Sequence, residues 1–320
     1  MRRSHLTWLL ILAAPASVLF ALLHGSVGIG WRELWDAARG ADGMAATLIF
    51  ELRLPRALAA FAVGGMLALS GALLQVLLRN PLADPYVLGI SGGAASTALL
   101  AMLAGLGGAW ISAGALGGAF LSMFLVFGLS RVGGAWTQNR LLLTGVVVAA
   151  GWGALISLLL ALAPDARLPG MVFWLLGDLG HAARPAPGLA ALAAGLAVSL
   201  WLARSLNLLA RGELVAATLG ENPRRLRWLV YFTASVLTAA AVTLAGSVGF
   251  VGLVIPHLLR LLGGADHRWL LPNCVLLGGG FLVVADTVAR SLLAPAQLPV
   301  GVLTALLGVP VFLFLLARTR

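Results

Sequence analysis

The 320-residue sequence contains no lysine: all 21 of its basic residues are arginines. A nucleotide-binding loop of the G-x-x-x-x-G-K-[ST] type needs a lysine on the nucleotide phosphates, and a Schiff-base enzyme needs one as its nucleophile. The chain therefore cannot hydrolyse ATP by that route. Cysteine is almost as scarce, and the single Cys274 excludes an intramolecular disulfide framework and any cysteine-rich metal site. Only 10% of the residues are charged, against roughly a quarter in ordinary soluble domains. Carboxylates within the long apolar runs, which a proton-coupled carrier would use, are nearly absent. His5, His24, His181, His257 and His267 are scattered and no H-E-x-x-H occurs, which argues against an intramembrane enzyme. His257 follows Pro256 in an apolar segment with no second ligand at i±4, so it reads as a hydrogen-bonded structural histidine rather than a metal ligand.

What is abundant is apolar surface. Hydrophobic residues make up 61% of the chain and the mean hydropathy is +1.01. Crossing a bilayer takes about 20 apolar residues, and such runs recur from Leu6 to Leu316. The pattern predicts an all-α, polytopic domain over 1–320 with ten spans: 6–24, 56–78, 89–106, 111–130, 141–162, 187–204, 225–246, 248–263, 269–290 and 299–317. The eighth is short and could be re-entrant. The first run follows Met1-Arg2-Arg3 like a signal peptide but lacks a small-x-small cleavage site before Gly25, so it reads as a span. With both termini cytoplasmic, fourteen of the 21 arginines and four of the 11 acids fall inside. The positive-inside rule then accounts for the net charge of +10 without any nucleic-acid partner. Trp136, Trp174 and Trp269 fall near the expected interfaces. Small-residue patches such as Gly64-Gly65 and Gly278-Gly279-Gly280 let helices approach closely in lipid.

Three segments carry more than hydropathy. Between spans two and three, Arg79-Asn80-Pro81-Leu82-Ala83-Asp84-Pro85 predicts a polar hairpin, because each proline enforces extended backbone before it. The longest inside segment, 205–227, holds a short apolar helix: Gly212 and Glu213 suit its start, Gly220 and Pro223 its stop. About two turns cannot be stable alone in water, so a partner or the membrane surface must hold them. At the outer start of span two, Arg53 and Arg56 flank Pro55 where the helix dipole disfavours cations. Glu51 could neutralise one and lipid phosphates the other, while Asp286 and Arg290, one turn apart, are placed to pair with each other.

The stretch from Arg53 to Ser91, Gly249-Phe250-Val251-Gly252-Leu253-Val254-Ile255-Pro256-His257, Ala285-Asp286-Thr287-Val288-Ala289-Arg290 and the terminal Leu298–Phe312 segment occur in one order. Together they resemble the FecCD-type permeases that import iron-siderophores, haem and cobalamin, and the length and pattern look most like the cobalamin-importing members. The resemblance implies the type II ABC importer architecture: a homodimer in the bacterial inner membrane, with ATP and Mg on separate cytoplasmic ATPase subunits, no cofactor in the permease itself, and a periplasmic substrate-binding protein. It further implies that Gly212, Glu213, Leu214, Leu219 and Gly220 form the element that sits in a groove of the ATPase. Asn80, Leu82, Thr137 and Gln138 would close the cytoplasmic end of the path. Arg53, Arg56 and Arg290 would receive acidic residues of the binding protein. The expected cargo is a metal chelate, whether cobalamin, ferric siderophore or haem; an ion-coupled secondary transporter is the alternative.

Overall fold

A computed structural model describes residues 3–25, 27–131, 137–180, 184–294 and 296–318; Trp136 and His181 lie outside these. Among the described residues there are helices and no strands. In chain order they are α1 (Arg3–Leu23), α2 (Trp31–Ala38), α3 (Met44–Thr47), α4 (Leu54–Leu77), α5 (Ile90–Leu103), α6 (Gly108–Leu129), α7 (Gln138–Ala161) and α8 (Leu168–Leu175). There follow α9 (Ala186–Trp201), α10 (Ala203–Arg211), α11 (Glu213–Thr218), α12 (Pro223–Ala245), α13 (Val251–Gly263), α14 (His267–Ser291) and α15 (Val300–Arg318). A π-turn over Leu48–Arg53 joins α3 to α4, and a 3-10 turn over Pro85–Leu88 leads into α5.

Ten helical segments answer to the ten expected spans. Six are long and apolar enough to cross a bilayer alone: α1, the run from α3 through α4, α6, α7, α12 and α14. The sixth expected span is a helix pair, α9 and α10, bent by 60°. α5, α13 and α15 are shorter. At 1.5 Å per residue the 13 residues of α13 extend only about 20 Å, less than the roughly 30 Å hydrocarbon core. α5, with 14 residues, is similarly short. The approaches to these two helices meet inside the bundle, where the Val248 amide donates to the Tyr86 hydroxyl at 2.9 Å.

α4 is the axis of the bundle: from Ala59 to Leu77 only Phe61 is not fully buried. Its small residues make this possible. A Cβ on Gly64 would strike the Gly278 carbonyl of α14, so glycine on both helices permits the crossing. On the α12 side, Ser70 donates to the Ala234 carbonyl at 2.8 Å and shares a hydrogen bond with Thr238 at 2.8 Å. Interhelical bonds of this kind contribute about 0.6 kcal/mol each in a membrane protein. α7 is the opposite case, burying only Leu141, Gly145 and Leu159.

Two helices depart from the ten-span reading. α2 lies between the first two spans, and Gly30 at its start receives a side-chain cap from Glu33 at 2.8 Å. α8 follows the fifth span, with Pro169 in its first turn. Neither is long enough to cross a membrane.

Candidate functional sites at the two membrane faces

On the face that carries the loop 205–227, α11 is set off from α10 by Gly212, whose φ of +129° is open to glycine but strained for other residues. Gly220, at φ +86°, ends it, and the amides of Gly220 and Glu221 return to the carbonyls of Ala217 and Ala216 at 3.1 and 3.0 Å. Six residues make a helix too short to hold itself. Side chains hold it instead. Glu213 pairs with Arg227 of α12 at 3.1 Å and approaches Arg79, just past α4, at 4.0 Å. Glu221 accepts from Ser205 of α10 at 2.7 Å. Ala216 faces inward, whereas Leu214 is 79% and Leu219 62% exposed. An apolar face is thus held out on a braced helix.

α10 is itself fastened to α14. Asn207 donates to Asp266 at 2.9 Å and accepts from the His267 amide at 2.9 Å. Asp266 caps α14 by accepting from the Arg268 amide at 3.0 Å. The Asn207 bond, then the Arg268 amide, hold its carboxyl below the usual carboxylate range. On the same face the Trp269 indole donates to Thr7 at 2.9 Å and to the Arg3 carbonyl at 3.3 Å.

The expected gate residues lie beside this brace. Asn80 accepts from the Leu82 amide at 2.9 Å, a side-chain turn that leaves Leu82 exposed. Thr137 caps α7 by accepting from the Arg140 amide at 3.3 Å. Thr137 and Gln138 line a small crevice with Leu77, Leu141 and Arg227. The side-chain amide nitrogen of Gln138 is buried without a hydrogen-bond partner among the described residues. Arg227 therefore touches both the crevice and Glu213 of α11. The polar hairpin predicted between spans two and three is in fact folded inward beyond Leu82. Ala83, Pro85 and Leu88 are buried, and Gln75 of α4 holds the turn by donating to the Ala83 carbonyl at 3.4 Å. Asp84 caps the 3-10 turn by accepting from the Tyr86 amide at 2.8 Å. Burial nevertheless pushes its carboxyl up to about 6.

At the opposite face the three arginines converge. Arg56 holds Asp286 through two parallel bonds of 2.8 Å and also donates to Gln297 at 3.2 Å. Arg290 stands 4.0 Å from Asp286 and donates to the Ala21 carbonyl at 2.6 Å. Arg53 is buried and donates to the carbonyls of Leu22 and Val27. Two sequence expectations change here. Asp286 takes the fork of Arg56, 230 residues away, in preference to its helical neighbour Arg290. Glu51 is exposed and forms no ion pair among the described residues, so it neutralises neither arginine. The planar guanidinium explains the choice, since a bidentate fork is shorter and stronger than a grazing contact at 4.0 Å. His257 also differs: it is buried beside Phe312, but its Nε2 has no hydrogen-bond partner among the described residues.

The fold is a multi-pass helical bundle, of membrane-protein class, that presents a braced apolar helix on one face and an arginine cluster on the other. A profile of the FecCD transport family matches residues 10–318. The chain belongs to the FecCD transport family. It is 40% identical over 310 residues to the hemin transport system permease protein HmuU of Yersinia pestis, covering 92% of this chain and 90% of that protein. It is 40% identical over 319 residues to the vitamin B12 import system permease protein BtuC of Serratia proteamaculans, covering 98% and 92%. The ABC transporter permease protein YvrB of Bacillus subtilis is 39% identical, with coverages of 92% and 87%. Among solved structures, an inward-facing conformation of a transporter assigned to the metal-chelate ABC type superposes with a TM-score of 0.85 at 33% identity, covering 99% of each chain.

Proposed function

We propose that this chain is the membrane-spanning subunit of an ATP-driven importer for a metal chelate, acting as a homodimer in the inner membrane with its termini in the cytoplasm. The observation that carries the reading is α11: a six-residue helix, braced by Glu213 and Glu221, holding Leu214 and Leu219 out of the protein. Such a face costs stability unless something covers it. The chain carries no phosphate-binding lysine, so the covering partner is a separate ATPase that holds ATP and Mg. The cytoplasmic placement of α11 is supported by the excess of arginine on its side of the membrane. The hydrogen bond from Trp269 to the Arg3 carbonyl supports a cytoplasmic amino terminus, because it lies on the face shared with Asp266 and α10.

The mechanism follows from the contacts. Movement of the ATPase displaces α11, and the Glu213–Arg227 pair carries that displacement to the N-terminal part of α12. Arg227 borders the crevice of Thr137 and Gln138, so the same step alters the seating of α7 against the end of α4. Asn80 and Leu82, in the turn that follows α4, complete the inner gate. α7 buries three residues within one copy, which supports a second copy across the path.

On the periplasmic side, Arg56 and Arg290 share the Asp286 carboxylate, while Arg53 is held by the carbonyls of Leu22 and Val27. The unbalanced positive charge is suited to acidic residues of a substrate-binding protein, for orientation and encounter rate more than for affinity. The cargo class, a cobalamin- or haem-like chelate, rests on the relatives' functions.

Replacing Leu214 or Leu219 with aspartate tests the central point. An unpaired charge in the covered contact should abolish co-purification with the ATPase and chelate uptake while leaving membrane insertion intact. Unchanged co-purification and uptake in both variants would refute the assignment.

A further inference from the structure

A cavity lies beside the outer arginine cluster, its wall residue Asp178 within reach of the charge of Arg56. Its volume is about 890 Å³, near the upper end of the 300–1,000 Å³ typical of small-molecule sites. It is walled by the turn between α5 and α6, by α8, by the start of α9 and by the end of α12. Those are the ends of four spans, on the face opposite α11, so the cavity sits at the level of the outer headgroups.

Its body is apolar, formed by Met102, Leu106, Ile111, Met171, Trp174 and Leu244. Two cations, Arg167 and Arg184, also line it. Arg167 is tied by Nη1 to the carbonyls of Met102 and Leu103, which leaves Nε and Nη2 to donate. Arg184 is exposed and makes no hydrogen bond or ion pair with the described residues. The one acid in the wall, Asp178, is engaged by the Gly180 amide at 2.7 Å, and Arg56 lies within reach of its charge. The lining is therefore net positive. Beside the cavity, Leu106, Trp110 and Phe173 are exposed apolar side chains. A mouth bordered this way opens onto hydrocarbon on one side and onto headgroups on the other.

We propose that this cavity binds an anionic glycerophospholipid of the outer leaflet, with its phosphate on Arg167 and Arg184 and its acyl chains in the apolar body. Water alone would leave the large apolar lining exposed, whereas an amphiphile satisfies both halves of the site. Charge complementarity selects the anionic headgroup, and the position at the outer ends of the spans selects a membrane lipid over a soluble anion. The proposal rests only on the membrane placement of the helices.

The test uses the full-length chain purified in detergent, with native mass spectrometry and thermal unfolding as readouts. Wild type should retain phosphatidylglycerol and be stabilised by its addition more than by phosphatidylcholine. Arg184→Gln should lower retention about tenfold and abolish the difference between the two lipids. Because Arg184 makes no bond within the described fold, loss of folding should not mask the result. Arg39→Gln, on α2 at the same outer face, should behave as wild type. Arg167→Gln also loses the carbonyl contacts, so it is read only alongside Arg167→Lys, which keeps the charge and should retain the lipid. Inorganic phosphate and glycerol 3-phosphate, which lack chains, should not compete. Equal retention in wild type and Arg184→Gln would overturn the proposal. So would haemin displacing the retained lipid one for one with a dependence on Arg184, since the cavity would then be a subsite for the chelate.

Discussion

Replacing Asp286 with asparagine leaves the shape of the outer cluster nearly unchanged and removes the carboxylate that ion-pairs with Arg56 and Arg290. In the native fold the Asp286 side chain is 4% exposed, Arg56 16% and Arg290 11%, so water can do little for the charges left behind. The gross attraction across a 2.8 Å pair is about 6 kcal/mol at an effective dielectric near 20. Desolvation offsets much of that, but removing one partner of a buried pair typically costs about 3–5 kcal/mol, because an uncompensated charge remains. Asp286→Asn strands two cations and belongs at the upper part of that range. Arg56→Gln is milder, since Asp286 still has Arg290 at 4.0 Å, and its cost should be about 1–3 kcal/mol. The double variant should cost at least about 1 kcal/mol less than the sum of the singles, as residues in direct contact do. Thermal unfolding in detergent reads all three. At about 2 °C per kcal/mol, the low end of the scale for large chains, Asp286→Asn should lower Tm by about 8–10 °C. Strictly additive effects, or a loss below about 2 °C for Asp286→Asn, would refute the claim that this pair fastens α14 to α4.

Three further outcomes can be measured. Arg56→Glu combined with Arg290→Glu should weaken docking of the binding protein most at low ionic strength, without lowering the basal activity of the assembled ATPase. Equal docking at low salt would make the arginines purely structural. Cysteines at Gln138 in the two copies should crosslink in a nucleotide-dependent way, and crosslinking indifferent to nucleotide would remove Gln138 from the gate. The Asp84 carboxyl is raised from 3.8 to about 6 in the fold, so the protonated form is the stable one. Its contribution is complete below pH 4 and is lost as pH rises through about 6. Asp84→Asn should therefore gain Tm relative to wild type across that interval, and parallel profiles would refute the assignment.

Much of this was legible in the sequence because lipid imposes a length. The ten spans follow from apolar runs, and α11 follows from Gly212 and Gly220, whose positive φ angles bear out both boundaries. What escaped falls into two kinds. α2 and α8 are too short to register as spans, yet each left a local signal: Glu33 three residues after Gly30, and Pro169 shortly before Gly177. The break between α9 and α10 left none, because it occurs at Leu202 without glycine or proline. The pairing of Arg56 with Asp286, and the seating of Gln138 against Arg227, depend on which helices pack together. No periodicity along a single chain encodes a contact across 230 residues.

The brevity of α5 and α13 has a consequence for how the chain is made. Neither extends across the hydrocarbon at about 1.5 Å per residue, so neither suffices as an independent insertion unit at the translocon. Each would leave unpaired backbone groups at membrane depth until neighbours shield them. α5 enters beside the longer α6, and α13 beside the longer α14. The junction between the Val248 amide and the Tyr86 hydroxyl cannot close until α12 has been synthesised, more than 150 residues after Tyr86. Biogenesis should thus have a late step, in which the segments leading into these two short helices are joined once Val248 reaches Tyr86. A chain truncated before Ser247 should accordingly leave α5 incompletely embedded and open to quality-control proteases, however well its longer helices have crossed.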